Sequence, residues 1–209
     1  MAKLMNWAIL DKKLKEKKTL IFTPLDVRRI FGVSKVAATF LVHRYAKKGL
    51  IKRLKRGLYS LRDANISTFC LANKLYAPSY ISFDTALSHY GLIPEIVYSI
   101  TSATTKATRQ FTVQGINYTY QTLKKDFFTG YRAIQYQGET VLLAEPEKAL
   151  ADYLYFIELK KREFSYERLN LKKIKKTKLI AYVKLLKRPR MINLIEKIYA
   201  QSRKSQRIF

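Results

Sequence analysis

Between Thr23 and Leu61 the chain sets out two short helices and a hairpin, and this order constrains the fold more than any other feature. Thr23-Pro24 opens the first helix: a hydroxyl stands at the N-cap and proline follows at the first helical position, where its missing N–H costs nothing. Leu25, Val27, Ile30 and Phe31 make its apolar stripe, and Gly32 stops it. Ser34 caps a second helix that runs to about Lys48 and ends at Gly49, a residue suited to a left-handed C-terminal cap. The following stretch, Ile51 to Leu61, is apolar at alternate positions with a turn near Gly57, which predicts a two-stranded wing with a cationic tip. Two helices joined by a tight turn, with a basic hairpin behind them, make a shape that fits a DNA groove and its flanking phosphates.

The charge is placed to match. The chain carries 41 Lys+Arg against 15 Asp+Glu, a formal net charge of +26. Residues 1–62 hold 17 basic and 3 acidic side chains, residues 63–158 hold 7 and 9, and residues 159–209 hold 17 and 3. A nearly neutral middle thus lies between two cationic ends. Such ends favour polyanions, because bound basic side chains release condensed counterions. With 48% hydrophobic residues, 11 Phe and 15 Tyr, the chain can build a core and does not read as a disordered basic tail. The single cysteine, Cys70, rules out an internal disulfide and fits a reducing compartment. No apolar run approaches the roughly 20 residues that span a bilayer, and the Trp7–Leu10 cluster is too short for a signal-peptide core. The expected location is the cytoplasm.

The expected class is α+β. A winged helix-turn-helix domain occupies residues 1–62, opened by a helix over Trp7–Lys17 and a strand at Leu20–Phe22. The polar stretch Arg62–Asn65 is the expected hinge, and residues 63–209 form a larger α+β domain with a basic helical tail over 160–209. Helices are predicted at Ser67–Leu75, Asp84–Tyr90 and from Pro146 to about Leu159. Hairpins turn at Gln114-Gly115 and Gln137-Gly138. Residues 168–202 read as helical with a break near Pro189.

On an ideal wheel, the second helix of the N-terminal pair turns Val36, Ala37, Phe40 and Leu41 to the core. Lys35, Ala38, Thr39, Val42 and Ala46 face outward, with His43 at the edge. Lys35 and His43 can then reach base edges while Thr39, Ala38 and Val42 pack on thymine methyls. His43 reads equally as a surface histidine with no task. Arg44 falls toward the core on the wheel and is assigned to a phosphate instead. No Arg, Asn or Gln stands at the centre of this face to make a bidentate contact with a base. The wing cations Lys52, Arg53, Lys55 and Arg56 are assigned to phosphates or, at the tip, to the minor groove. Tyr59 anchors the wing. In the tail, Lys172, Lys173, Lys175 and Lys176 offer a second polyanion contact, or else simply form the polar face of a helix.

Enzymatic chemistry finds little support. Two histidines and one cysteine make no zinc motif, and no P-loop or dinucleotide fingerprint occurs, so no cofactor or metal is expected. Asp84, Ser88 and His89 are close in sequence, but neighbouring positions diverge on a helix. Asp126, Glu139, Glu145 and Glu147 could hold a nuclease's magnesium, yet Glu145 and Glu147 splay at a helix start.

Gly49-Leu50-Ile51 followed by Arg56-Gly57-Leu58-Tyr59 occurs in many regulators, and the middle of the chain is more specific: Ser79-Tyr80-Ile81-Ser82, then Ala86-Leu87 and Tyr90-Gly91-Leu92-Ile93-Pro94, and above all Ala144-Glu145-Pro146-Glu147-Lys148-Ala149-Leu150-Ala151-Asp152-Tyr153. Together these segments resemble the AbiEi-like antitoxins of abortive-infection (type IV) toxin–antitoxin systems. The resemblance spans about residues 20–158. It implies a winged helix that represses its own operon at promoter DNA, and a C-terminal domain that neutralises a nucleotidyltransferase toxin encoded beside it. Two other readings stay open. One is a stand-alone winged-helix regulator with a sensing domain. The other is an RNA-binding protein that stacks bases on Tyr118, Tyr120, Tyr131 and Tyr136.

Overall fold

In the computed structural model, residues 6–17, 19–161 and 169–205 are described. The chain divides into two compact units, residues 1–75 and 76–209.

The first unit runs α1 (Trp7–Glu16), β1 (Ile21–Phe22), α2 (Pro24–Phe31), α3 (Lys35–Lys47), β2 (Ile51–Lys55), β3 (Leu58–Leu61) and α4 (Thr68–Leu75). Local chemistry explains the boundaries. Thr23 and Asp26 form a reciprocal capping box at the start of α2: the Thr23 Oγ1 accepts from the Asp26 N–H, and the Asp26 carboxylate accepts from the Thr23 N–H at 2.8 Å. Gly32 closes the helix at φ +66, a conformation open to glycine at little cost. Ser34 caps α3 by accepting from the Ala37 N–H. The hairpin β2–β3 pairs antiparallel, and β1 adds to its other side, giving a three-stranded sheet in the order β1-β3-β2. Leu10, Leu14, Phe22, Val27, Phe31, Leu41, Tyr45, Ile51, Tyr59 and Leu61 share one core. Tyr59 is an anchor within it, stacked near Phe22.

The helix α4 groups with this first unit, so the division falls at 75/76 and not in the polar turn at 62/63. One tie is direct: the Lys55 ammonium at the end of β2 donates to the Leu75 carbonyl at the end of α4.

The second unit runs β4 (Ser79–Ile81), α5 (Phe83–His89), β5 (Ile100–Thr104), β6 (Arg109–Val113), β7 (Ile116–Thr122), β8 (Tyr131–Tyr136) and β9 (Glu139–Ala144). The helices α6 (Pro146–Glu158), α7 (Lys176–Lys184) and α8 (Pro189–Ser205) follow. Its strands make a six-stranded mixed sheet, β6-β7-β5-β4-β9-β8. Both hairpins turn where expected: Gln114-Gly115 and Gln137-Gly138 all have positive φ, the type I′ geometry that suits the strand twist. The central strands β4 and β5 gave no alternating signal because every residue in them is buried.

Helix α6 is the hub. It packs on α5, α7 and α8, and its residues from Glu147 to Phe156 are all buried. Lys148 is therefore an interior, ion-paired residue. Its ammonium pairs with Asp152 one turn on, lies 3.5 Å from the Phe127 ring centre, and both partners have no solvent exposure. Asp152 also accepts from Ser82 Oγ at 2.7 Å and Tyr80 Oη at 3.0 Å. Burial pushes the Asp152 carboxyl up and the Lys148 ammonium down, against the attraction between them.

Candidate nucleic-acid interface

Helix α3 is apolar around most of its circumference, so its packing, not its composition, decides which side faces out. Ala38, Leu41, Val42 and Tyr45 are buried, a spacing of i, i+3, i+4 and i+7. The outward stripe is Lys35, Val36, Thr39, Phe40, His43, Arg44 and Lys47, of which only Thr39 is partly covered. This turns the helix by about a third of a revolution from the ideal-wheel expectation. Val42, expected at bases, is fully buried and touches the core; Ala38 goes with it. Val36 and Phe40, expected in the core, are instead 63% and 72% exposed. Apolar residues lie on several sides of α3, and the elements it packs against, α2 and β2, cover the Ala38–Val42 side. The Ala38–Leu41–Val42–Tyr45 repeat has helical spacing, but so does the apolar set around Val36 and Phe40, so the sequence does not single out the buried side.

The polar groups of the stripe have defined states. Thr39 Oγ1 donates to the Lys35 carbonyl at 2.8 Å, so its hydrogen is committed and its methyl and lone pairs remain. The Arg44 guanidinium is exposed and lies 5.4 Å from the Tyr45 ring centre, not inside the core. Lys35 and His43 are exposed. A surface depression of about 560 Å³ is lined by Lys35, Val36, Thr39, Phe40 and His43.

On the hairpin, Lys52, Arg53 and Arg56 are exposed, while Leu54 and Leu58 are buried. Arg56 sits at the tip beside Gly57, whose φ of +78 makes the turn. Lys55 differs from its neighbours. It is half-buried, and its bond to the Leu75 carbonyl holds it inside the unit.

Residues 16–62 match the family model described as "Transcriptional regulator, AbiEi antitoxin", a span that starts in the last turn of α1 and ends just past β3. Over these residues the chain is similar to AbiEi-type antitoxin transcriptional regulators. The AbiEi match covers both helices and the hairpin and stops at residue 62; the segments 79–94 and 144–153, where the resemblance also lies, fall outside it. No curated protein matches the chain closely enough to count as a relative.

The groups considered for other chemistry beyond the AbiEi-type domain have structural engagements. Glu145 accepts from Tyr182 Oη and pairs with Lys178 at 2.9 Å. Partial burial works to raise its carboxyl, but these two bonds outweigh it and leave it below the ordinary value. Glu147 accepts from the Lys175 N–H at 3.1 Å. Ser88 Oγ donates to the Glu95 carbonyl. Among the described residues no cluster of three or more His, Cys, Asp or Glu could hold a metal ion. Tyr118 and Tyr120 are buried, and burial pushes Tyr118 up to about 12; Tyr131 stacks on Tyr80 with ring centres 4.5 Å apart. Tyr118 and Tyr120 are thus sheet core, whereas Tyr131 and Tyr136 are half-buried. Of the tail lysines, Lys172 and Lys175 are exposed, Lys173 donates to the Tyr90 carbonyl at 2.9 Å, and Lys176 pairs with Glu196 at 2.7 Å. Arg168, where the tail helix was expected to begin, lies outside the described residues. No helix among the described residues is long and apolar enough to cross a membrane.

Proposed function

We propose that residues 1–75 form a winged helix-turn-helix that binds this chain's own promoter DNA and represses transcription. In the same reading, the second unit neutralises a nucleotidyltransferase toxin encoded in the same operon. The observation that carries the first half is the continuous exposed stripe of α3, Lys35 to Lys47, accompanied by the exposed wing cations Lys52, Arg53 and Arg56. α3 is the recognition helix for the major groove. Its N-terminal half, Lys35 to His43, meets base edges, and Arg44 with the wing cations meets phosphates. Lys55 is left out because its ammonium already has a carbonyl partner. The protein works in the cytoplasm by binding, with no cofactor and no catalytic step. The engaged states of Glu145, Glu147 and Ser88 support this. The exposed Lys172 and Lys175 serve as a second polyanion contact.

The test is a salt titration of binding between the full chain and duplex DNA from upstream of its gene. Replacing Arg53 and Arg56 with Ala should weaken binding on every sequence and flatten the log–log salt slope by up to about two units. An unchanged slope would remove the wing from the interface. For the second half, the full chain should restore growth when co-expressed with the adjacent toxin-like gene. A chain lacking residues 1–75 should restore growth without restoring promoter repression.

A further inference from the structure

Helix α3 carries an unusual outer face for a helix read as entering a DNA groove: its exposed centre is apolar. Val36 and Phe40 stand one turn apart and open to solvent, in the N-terminal half of the helix. Burying this pair against water-free surface is favourable, and leaving it exposed is not, so the face is built to be covered. Cations surround it: Lys35 before it, Arg44 and Lys47 beyond it, all exposed. A second copy of the same face would bring like charges together, which costs binding energy. A polyanion with apolar groups on its recognised surface satisfies both requirements. The major groove of a duplex is such a surface, and its only apolar projection from the bases is the C5-methyl group of thymine.

We infer that Val36 and Phe40 are specificity-determining residues that recognise thymine methyl groups, so that the preferred site is defined more by methyl contacts than by bidentate hydrogen bonds. This rests on the DNA-binding reading above and deepens it. The rest of the stripe agrees. Thr39 has spent its hydroxyl hydrogen on the Lys35 carbonyl and has a methyl to offer. Lys35 and His43 are the polar groups nearest the pair, lining the same depression, and neither carries the rigid planar fork that Arg presents to guanine.

The experiment uses the full chain and the duplex it selects from a random pool. That duplex is then resynthesised with deoxyuridine in place of thymidine, a change that deletes methyl groups and nothing else. The selected site should be rich in thymine. Uracil substitution should weaken binding about threefold to fivefold for each contacted methyl, the factor expected from burying one such group. Val36→Ala and Phe40→Ala, both at exposed positions and checked for folding by circular dichroism, should each weaken binding to the thymine duplex. Each should also shrink the thymine-to-uracil ratio toward one. Equal wild-type affinity for the two duplexes overturns this inference and leaves the DNA-binding reading intact. Binding with no sequence preference overturns both. If the two variants alter the sedimenting mass of the protein while the ratio stays at its wild-type value, the face is an interface between copies and the inference fails.

Discussion

The buried Lys148–Asp152 pair makes the sharpest prediction about stability. Neither side chain touches solvent, and Asp152 has three donors: Lys148, Ser82 and Tyr80. Lys148→Met keeps most of the side-chain volume but leaves the carboxylate with two neutral hydroxyls. An ion pair at contact distance is worth about 4 kcal/mol at an effective dielectric of 20, and breaking a buried pair costs about 3–5 kcal/mol. The variant has one escape, which is to keep Asp152 protonated. Starting from an ordinary value near 4, that costs about 4 kcal/mol at pH 7 and about 1.4 kcal/mol less for each pH unit below it. The sign follows from the direction of the shift. Burial raises the Asp152 carboxyl in the folded chain, so the protonated form's stabilising effect is full at low pH and is lost as pH rises through the raised value. Lys148→Met should therefore melt on the order of 10–20 °C below the wild type at pH 7.5. Near pH 5.5 it should recover about 3 kcal/mol of that loss. Asp152→Asn should behave oppositely. Burial lowers the Lys148 ammonium, so the variant gains relative stability as pH rises and loses it as pH falls through the lowered value. Scanning calorimetry of the full chain across pH measures both, and Trp7, the only tryptophan, separately reports the first unit by fluorescence. A Lys148→Met variant within about 1 kcal/mol of wild type at every pH would refute the argument that burial dominates this pair.

Other consequences are simpler. Val42→Ala should destabilise the first unit by about 2 kcal/mol, from two lost methylene-equivalents and a small cavity, whereas Val36→Ala should stay within about 0.5 kcal/mol; chemical denaturation followed by Trp7 fluorescence distinguishes them. Lys55→Ala should leave the salt slope of DNA binding unchanged while Arg56→Ala lowers it by about one unit, because the Lys55 ammonium is already held by Leu75. Gly130→Ala should cost at least about 1–3 kcal/mol in thermal melts: its φ is +71, and a new Cβ would lie 2.6 Å from the Tyr182 ring, pushing that ring off Glu145.

Residues with strong local preferences announced themselves in the sequence. Thr23-Pro24, Gly32, Ser34 and Gly49 bound two helices because caps and left-handed stops depend only on a few adjacent residues. Gln-Gly pairs fixed both hairpins for the same reason. The rotation of α3 was not legible, since apolar residues lie on several of its sides and only the neighbours it packs against choose among them. That choice moved Val42 into the core and Val36 and Phe40 onto the candidate interface. Strands β4 and β5 stayed hidden because burial on both faces erases the alternation by which strands are read.

The same division runs through the charges. The sequence alone determined that this chain has two cationic ends and a balanced middle, for counting needs no coordinates. Tertiary structure alone decided which cations remain available: Arg53 and Arg56 stand in solvent, whereas Lys55, Lys148, Lys173 and Lys176 are held by partners brought from up to 83 positions away in other parts of their own unit or from the next helical turn. A lysine's availability is set by the acceptors that folding places beside it, and for Lys55, Lys173 and Lys176 those acceptors are distant in the chain.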